Sequence, residues 1–136
     1  MTIAPNTVHP RCIVCSPAND RGLTVSYRPS SDRRSVIAEF PCDDAFEGYA
    51  GQIHGGVVCS LLDGAMVHCL FQLGRTAYTS EMSIRFQRAV LTGQPAVVRG
   101  WITQSRGRLH TMAAEISQDG VVMAIARAKF LEAARR

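Results

Sequence analysis

The run from His54 to Gly74 restricts the possible folds more than any other part of the chain. Apolar side chains recur along it with the period of a helix, and together they form one broad stripe. The stripe contains Val58, Leu62, Ala65, Met66, Cys69, Leu70 and Leu73. Val57 and Leu61 widen it beyond what a surface helix needs, and Gly74 is a typical C-terminal stop. We therefore expect a helix that is covered on most sides, as by a sheet wrapped around it.

Alternating apolar and polar residues predict strands on both sides of this helix. Two strands are expected before it, one around 23–28 and one around 36–40, with a turn at 29–32. Four are expected after it, at 79–90, 96–104, 109–118 and 121–131. The pair Asp119-Gly120 between the last two is a strong hairpin signal. The order β, β, α and then four antiparallel strands predicts an α+β fold.

The length and composition of the chain suit one domain. With 136 residues, 46% of them hydrophobic, it can bury a core but has no room for a separate cofactor domain. We expect a single domain over 1–136, with an irregular arm at 1–21 that is rich in proline and polar residues. The most apolar stretch, Val57 to Leu73, is interrupted by Asp63 and His68, and the N-terminus lacks a secretion signal. A soluble cytoplasmic protein is predicted.

The positive charge is spread along the chain. The formal net charge is +4, and 14 of the 15 basic residues are arginines that never form a block longer than two. This pattern disfavours nucleic acid as a partner, and we expect no membrane partner either; it favours the anchoring of a few phosphates. Arg85 and Arg88 are the candidates we select for phosphate binding, although a solvated sheet face is the alternative for each.

Five cysteines form an odd and unevenly spaced set, so a disulfide scaffold is disfavoured. Cys12-x-x-Cys15 allows two interpretations, a zinc site with His9 and Cys42 or a redox pair. A structural zinc site needs four ligands and the chain has no second CxxC motif, so we predict no metal and no other cofactor. His68 lies within the helical pattern, where a packed or hydrogen-bonded side chain is expected.

The start of the helix has the features of an acyl-transfer site. His54-Gly55-Gly56 stands where the loop becomes helix, where backbone N–H groups have no helical partner and glycine lets a ligand come close. Such amides stabilise the oxyanion of acyl transfer, and one donor typically lowers the barrier by about 3 kcal/mol. Asp63 lies further along the same helix, which is so apolar that an unpaired charge without a function would be costly there. It can act as a general base or attack the acyl carbon itself, and burial is expected to raise its pKa.

The rise of the helix separates these two groups. Gly56 and Asp63 are seven residues apart, which corresponds to roughly 10 Å along the axis, too far for one reacting carbon. If both act on the same carbonyl, two antiparallel helices must meet across a two-fold axis, which gives two shared sites per dimer. In the alternative interpretation the glycines only form a tight turn, His54 caps or packs, and Asp63 pairs with an arginine.

These residues resemble a known family. His54-Gly55-Gly56 followed by Asp63 and Ala65-Met66, and then the strand opening Thr79-Ser80-Glu81-Met82-Ser83-Ile84-Arg85-Phe86, is similar to the hotdog-fold acyl-CoA thioesterases of the PaaI-like (phenylacetate-pathway) superfamily. The resemblance covers nearly the whole chain. It extends to Cys12-x-x-Cys15 with Asn19 and Gly22-Leu23, to Gln118-Asp119-Gly120 and to Ala128-Lys129-Phe130.

The resemblance implies a hotdog fold, a long helix wrapped by an antiparallel sheet of five or six strands. It also implies a homodimer that often pairs into a tetramer, and catalysis without a metal or prosthetic group. Asp63 matches the catalytic carboxylate, and Gly55 and Gly56 match the backbone that polarises the thioester carbonyl. His54 matches the histidine that orients the loop or the substrate, and Thr79 matches a hydroxyl residue that positions water or the carboxylate. The implied reaction is hydrolysis of an acyl-CoA to the free acid and CoA.

The chain departs from the family pattern at two positions. Some relatives carry an amide side chain six residues before the histidine, where this chain has Gly48, and many carry glutamate where it has Gly64. Gln52 is the nearest loop amide and is our candidate for substrate binding. Whether Asp63 acts as nucleophile or base stays open, and so do two other functions: a non-catalytic acyl-CoA-binding protein and a hotdog hydratase or dehydratase.

Overall fold

The computed structural model describes residues 2–133, which form two α-helices, a short 3-10 helix and one six-stranded sheet. Every paired strand is antiparallel, and the spatial order is β1-β2-β4-β5-β6-β3. In chain order the elements are α1 (Pro5–Val8), β1 (Arg28–Pro29), β2 (Ser35–Phe40), the 3-10 helix (Asp44–Phe46), α2 (Gly55–Gln72), β3 (Tyr78–Phe86), β4 (Ala96–Arg106), β5 (Leu109–Gln118) and β6 (Val121–Leu131).

The central helix α2 is covered on most of its surface, as predicted. Eleven of its 18 residues are buried, and they form one core with the inward side chains of the sheet. At Gly100 in β4 the helix comes so close that a Cβ atom there would lie 2.7 Å from the carbonyl of Ala65. Among the helices of residues 2–133, α2 alone is long and apolar enough to cross a membrane, but 61% of it is buried inside the fold. It is the core helix of this sheet.

The end of α2 follows the prediction. Gly74 adopts a φ of 74°, its N–H donates to the carbonyl of Phe71, and the N–H of Arg75 donates to that of Leu70. These two bonds form a Schellman motif, which glycine favours because it tolerates the left-handed conformation. The predicted helix stop is confirmed.

The four strands after the helix are also confirmed, with small differences at their ends. Asp119 and Gly120 both have positive φ, 50° and 76°, as a two-residue type I′ hairpin turn requires. The third strand ends at Phe86 rather than near 90, because the amides of Gln87 and Arg88 both turn to the carbonyl of Met123.

The prediction of a strand around 23–28 is wrong. Only Arg28 and Pro29 pair with β2, and proline cannot donate to a ladder. The backbone before them bonds elsewhere: the amide of Leu23 donates to the carbonyl of Ile13 at 2.7 Å, and that of Val25 to Val14 at 2.8 Å. The apolar alternation at these positions buries side chains in contact with an irregular segment.

That N-terminal segment lies on α2. The amide of Ile3 donates to the carbonyl of Phe71 at 2.8 Å, and the hydroxyl of Tyr27 donates to that of Leu61 at 2.7 Å. Val14 and Val25 are buried in the core. Residues 2–27 therefore cover part of the helix surface and bring their own polar side chains close to it.

Candidate active site

His54 shapes the start of the central helix. It is the N-cap residue, and its Nδ1 accepts a hydrogen bond from the amide of Gly56 at 2.8 Å. Its carbonyl accepts from Val57 and Val58, and its own amide donates to Phe46. Because Nδ1 is the acceptor, a neutral ring carries its proton on Nε2. His54 therefore holds the loop and the helix in a fixed relation.

Gly55 and Gly56 differ in what they offer to a ligand. The N–H of Gly56 is already bound by His54, whereas the N–H of Gly55 has no acceptor among residues 2–133. The positive end of the helix dipole lies at the same place. The structure thus leaves one free donor where the sequence predicted two.

A cleft of about 690 Å³ opens at this helix start. It brings together four residues that the sequence singled out, His54, Gly55, Gln52 and Arg88. Phe86, at the end of β3, lies beside Gly55 and was not predicted. The other lining residues are Gly48, Tyr49, Ile53, Val58, Gln87, Ala89 and Val90.

Gly48 lies close to His54. A Cβ atom at this position would lie 3.1 Å from the Cα of His54 and 3.2 Å from its ring. These distances are tighter than most Cβ contacts, so a side chain would push against the histidine. Here Gln52 is the amide that lines the cleft.

Asp63 and Thr79 form a second group. The hydroxyl of Thr79, near the start of β3, donates to Oδ1 of Asp63 at 2.5 Å. Burial raises the pKa of the Asp63 carboxyl above its usual range, although the Thr79 hydrogen bond and nearby His9 lower it in part. A carboxylate with a raised pKa is suited to accept a proton, and one held by a hydroxyl is fixed in orientation.

The two groups do not meet within one chain. Asp63 and Thr79 do not line the cleft, and eight residues of helix, roughly 12 Å of rise, separate Asp63 from Gly55. Arg85 is exposed on β3 and does not line the cleft either. One chain therefore presents a free backbone N–H at one end of α2 and a carboxylate further along it.

The apolar alternation around Tyr27 did not place this residue near Asp63, and the structure does. A Cβ atom at Gly64 would lie 2.5 Å from the Tyr27 hydroxyl and 2.9 Å from a methyl group of Val14. Gly64, beside Asp63, thus leaves room for the N-terminal segment. The one available signal was a glycine inside a helix, which costs about 1 kcal/mol relative to alanine and so suggests close packing.

Cys42, one of the possible metal ligands, does not lie with Cys12 and Cys15. It is buried, and its sulfur contacts the carbonyl of Phe40 and the amide of Gln118. The structure therefore does not support the alternative zinc set that included Cys42. His68 is packed, as expected, and burial lowers its pKa to about 4. Its Nε2, however, has no hydrogen-bond partner within the described chain.

The architecture is the hotdog fold of the thioesterase superfamily. The family model described as "Thioesterase superfamily" matches residues 50–125, and the chain belongs to that superfamily. A comparison with curated proteins gave no match.

Solved structures similar to this chain carry related descriptions. Protein RHA08564, a thioesterase superfamily protein, is 26% identical with a TM-score of 0.86, over 96% of this chain and 69% of its own. The PaaI protein of the E. coli phenylacetic acid degradation operon is 20% identical with a TM-score of 0.75, over 81% and 84%.

A third relative has been solved with coenzyme A. This hypothetical thioesterase from Streptococcus pneumoniae TIGR4 is 18% identical with a TM-score of 0.74, over 82% of this chain and 88% of its own. Mutant structures under the same name have a threonine or an aspartate replaced by alanine, at positions 16 residues apart.

Proposed function

We propose that this protein is an acyl-CoA thioesterase, which hydrolyses an acyl-CoA to the free acid and CoA. The observation that carries the proposal is the Asp63 carboxylate held by Thr79, on the same helix whose free Gly55 amide opens onto a cleft. Membership in the thioesterase superfamily supports it, and so does the coenzyme A bound to the pneumococcal relative.

The active site is proposed to be shared between two chains. Since Gly55 and Asp63 of one protomer are too far apart to act on one carbonyl, Asp63 would face Gly55 of the partner subunit across a two-fold axis. The edge strand β3 supports this arrangement. It pairs with β6 on one side only among the described strands, it carries Thr79 near its start, and it ends at Phe86 beside the cleft.

In the proposed reaction the thioester carbonyl oxygen accepts a hydrogen bond from the Gly55 amide, so that negative charge can develop there. The Asp63 carboxylate then either removes a proton from water as the water attacks the carbonyl carbon, or attacks that carbon itself to give an anhydride that water cleaves. Either route breaks the carbon–sulfur bond and releases CoA as its thiol. Thr79 holds one carboxylate oxygen and leaves the other free to react.

CoA itself needs an anchor for its phosphates. Arg88 lines the cleft with Gln52 and is the proposed phosphate contact, because a guanidinium group offers a fork of donors. Arg85 lies outside the cleft of its own chain, on the exposed face of β3. We propose that it reaches substrate only in the dimer.

The test is hydrolysis of a panel of aryl and aliphatic acyl-CoAs, followed by release of free thiol. Asp63→Asn should lower kcat by about 10²-fold to 10⁴-fold, the usual contribution of a general base. Asp20→Asn, at an exposed aspartate of the N-terminal segment, is the matched control and should leave kcat unchanged.

Three results would reject the proposal. Equal rates for Asp63→Asn and wild type would remove Asp63 from catalysis. Formation of an enoyl product without thiol release would indicate a hydratase or dehydratase. Binding of acyl-CoA without turnover of any member of the panel would indicate a binding protein.

A further inference from the structure

Three potential metal ligands meet at a place that the proposed reaction does not use. Single ligand atoms of His9, Cys15 and His68 all lie within 4.8 Å of one another, and Cys15 Sγ is 3.9 Å from Nδ1 of His9. His9 and Cys15 come from the N-terminal segment and His68 from α2. The fold therefore brings two imidazoles and a thiol from distant parts of the chain to one point.

His68 is the member that most clearly lacks a partner. It is only 6% exposed, and its Nε2 is buried without a hydrogen bond within residues 2–133. An unpaired buried polar atom is unfavourable because it loses its hydrogen bonds to water, so folded proteins rarely leave one. His68 also lines a cavity of about 340 Å³ together with His9, Cys15 and Tyr27. A ligand in this cavity would satisfy the buried nitrogen.

Cys12 lies next to this group. It precedes Cys15 by three residues, the two thiols interact, and the Cys12 sulfur already accepts a hydrogen bond from the amide of Val14 at 3.3 Å. Both cysteines are free thiols. Cys12 thus offers a second sulfur beside Cys15, in the CxxC spacing that is typical of zinc sites.

We propose that His9, Cys12, Cys15 and His68 bind one Zn²⁺ ion. Two imidazole nitrogens and two thiolates form a closed tetrahedral set, the arrangement typical of structural zinc. Bond lengths of about 2.0 Å to nitrogen and 2.3 Å to sulfur place ligand atoms about 3.4–3.8 Å apart. The Cys15–His9 pair, at 3.9 Å, is close to that range. His68 lies within 4.8 Å of both and must move inward by at most about 1 Å, and Cys12 must turn its sulfur toward the ion. Binding releases the two thiol protons to solvent.

The choice of zinc follows from the ligands. Thiolate and imidazole favour zinc over magnesium and calcium, which prefer oxygen ligands. The site replaces the set with Cys42 that the sequence suggested, and it revises the expectation that the chain binds no metal. Its ion would fasten the N-terminal segment to α2 five residues after Asp63 and would take no part in hydrolysis, so the proposal does not depend on the proposed function.

The experiment uses the full chain, reduced and freed of metal with a chelator, and titrated with Zn²⁺ or Co²⁺. One ion per chain is expected, and Co²⁺ should give the visible absorption of a tetrahedral site together with a thiolate charge-transfer band. Zinc should also raise the Tm of wild type. Absence of the cobalt bands, or a stoichiometry far below one per chain, would overturn the proposal.

Variants assign the ligands. Cys12→Ser, Cys15→Ser and His68→Gln should each weaken zinc binding at least 100-fold and abolish the zinc-dependent rise in Tm. Cys59→Ser, at a partly buried cysteine of α2 outside the cluster, is the matched control and should bind like wild type. Circular dichroism of each metal-free variant shows whether it is folded. Wild-type affinity in a folded Cys12, Cys15 or His68 variant, or an equal loss in Cys59→Ser, would contradict the assignment.

Discussion

At the scale of single residues, the Asp63–Thr79 hydrogen bond sets the pH range of the proposed reaction. The Thr79 hydroxyl lowers the Asp63 pKa, which burial has raised. Thr79→Ala removes the lowering contribution, so the pKa must rise and the acidic limb of the kcat/KM profile should move to higher pH. We also expect kcat to fall about 10-fold to 100-fold, as for loss of a hydrogen bond to a charged group.

Thr79→Ser keeps the hydroxyl and is the control for this prediction. Its acidic limb should stay where that of wild type lies. A Thr79→Ala profile that superimposes on the wild-type profile, at whatever rate, would show that the hydroxyl does not control ionisation of Asp63.

Asp63 also carries a prediction about stability. Its pKa in the folded state is raised, so the folded state favours the protonated carboxyl more than the unfolded state does. The stability of the fold is therefore unaffected by this group below the unfolded pKa, and it falls as pH rises through the folded pKa. At neutral pH the partly buried carboxylate therefore destabilises the fold, and Asp63→Asn should raise the Tm by roughly 3 °C while abolishing most activity. Thermal melts at pH 4 and pH 8 test the sign: the gain should be larger at pH 8, and a larger gain at pH 4 would contradict it.

At the scale of elements, the contact between α2 and the N-terminal segment depends on a missing side chain. Alanine is a better helix former than glycine by about 1 kcal/mol, so Gly64→Ala would ordinarily stabilise α2. Here its methyl group would lie 2.5 Å from the Tyr27 hydroxyl, and overpacking typically costs about 1–3 kcal/mol. We expect Gly64→Ala to lower the free energy of unfolding, measured by urea denaturation.

The double variant Gly64→Ala/Tyr27→Phe separates the two effects. In wild type, Tyr27→Phe removes the hydrogen bond to the carbonyl of Leu61 and should lower the free energy of unfolding. In the Gly64→Ala background it also relieves the clash with the new methyl group, so there it should lower the free energy of unfolding less. Additive effects of the two substitutions would mean that the segment does not press on Gly64.

The same elements show how far the sequence could go. The period of α2 and the alternation of β4, β5 and β6 were sufficient to predict these elements, because each of them buries side chains in the common core. The rise per residue already separated Gly56 from Asp63. The segment around Val25 was mistaken for a strand because its backbone partners, at Ile13 and Val14, lie in an irregular segment that has no period. The bond from Gly56 to His54 depends on a side-chain conformation, and sequence patterns do not specify it.

At the scale of the whole molecule, β3 is the part of the sheet that a monomer would leave unprotected. Tyr78 is 60% exposed and Phe86 is 51% exposed, at opposite ends of the strand, and its outer edge has no partner strand among residues 2–133. Edge strands of this length are normally covered. Pairing of two protomers along β3 would cover it and would bring the two halves of the site together.

A shared site predicts that two inactive variants restore activity when they form mixed dimers. Gly55→Pro removes the free N–H at the first position of α2, where proline is tolerated, and His54 before it already has the extended backbone that proline requires. This variant should lose about 10²-fold to 10³-fold in kcat with little change in Tm. Asp63→Asn inactivates the other half of the site.

In a mixed dimer of these two variants, one site combines both defects and the other has neither. With random pairing of equal amounts, about half of the dimers are mixed and each has one intact site of two, so the mixture should recover about a quarter of wild-type activity. The variants are mixed before refolding so that protomers can exchange, and thiol release is compared with that of each variant refolded alone. If Gly55 and Asp63 of the same chain acted together, every chain in the mixture would be defective. Activity would then equal the average of the two variants, and the shared site would be disproved.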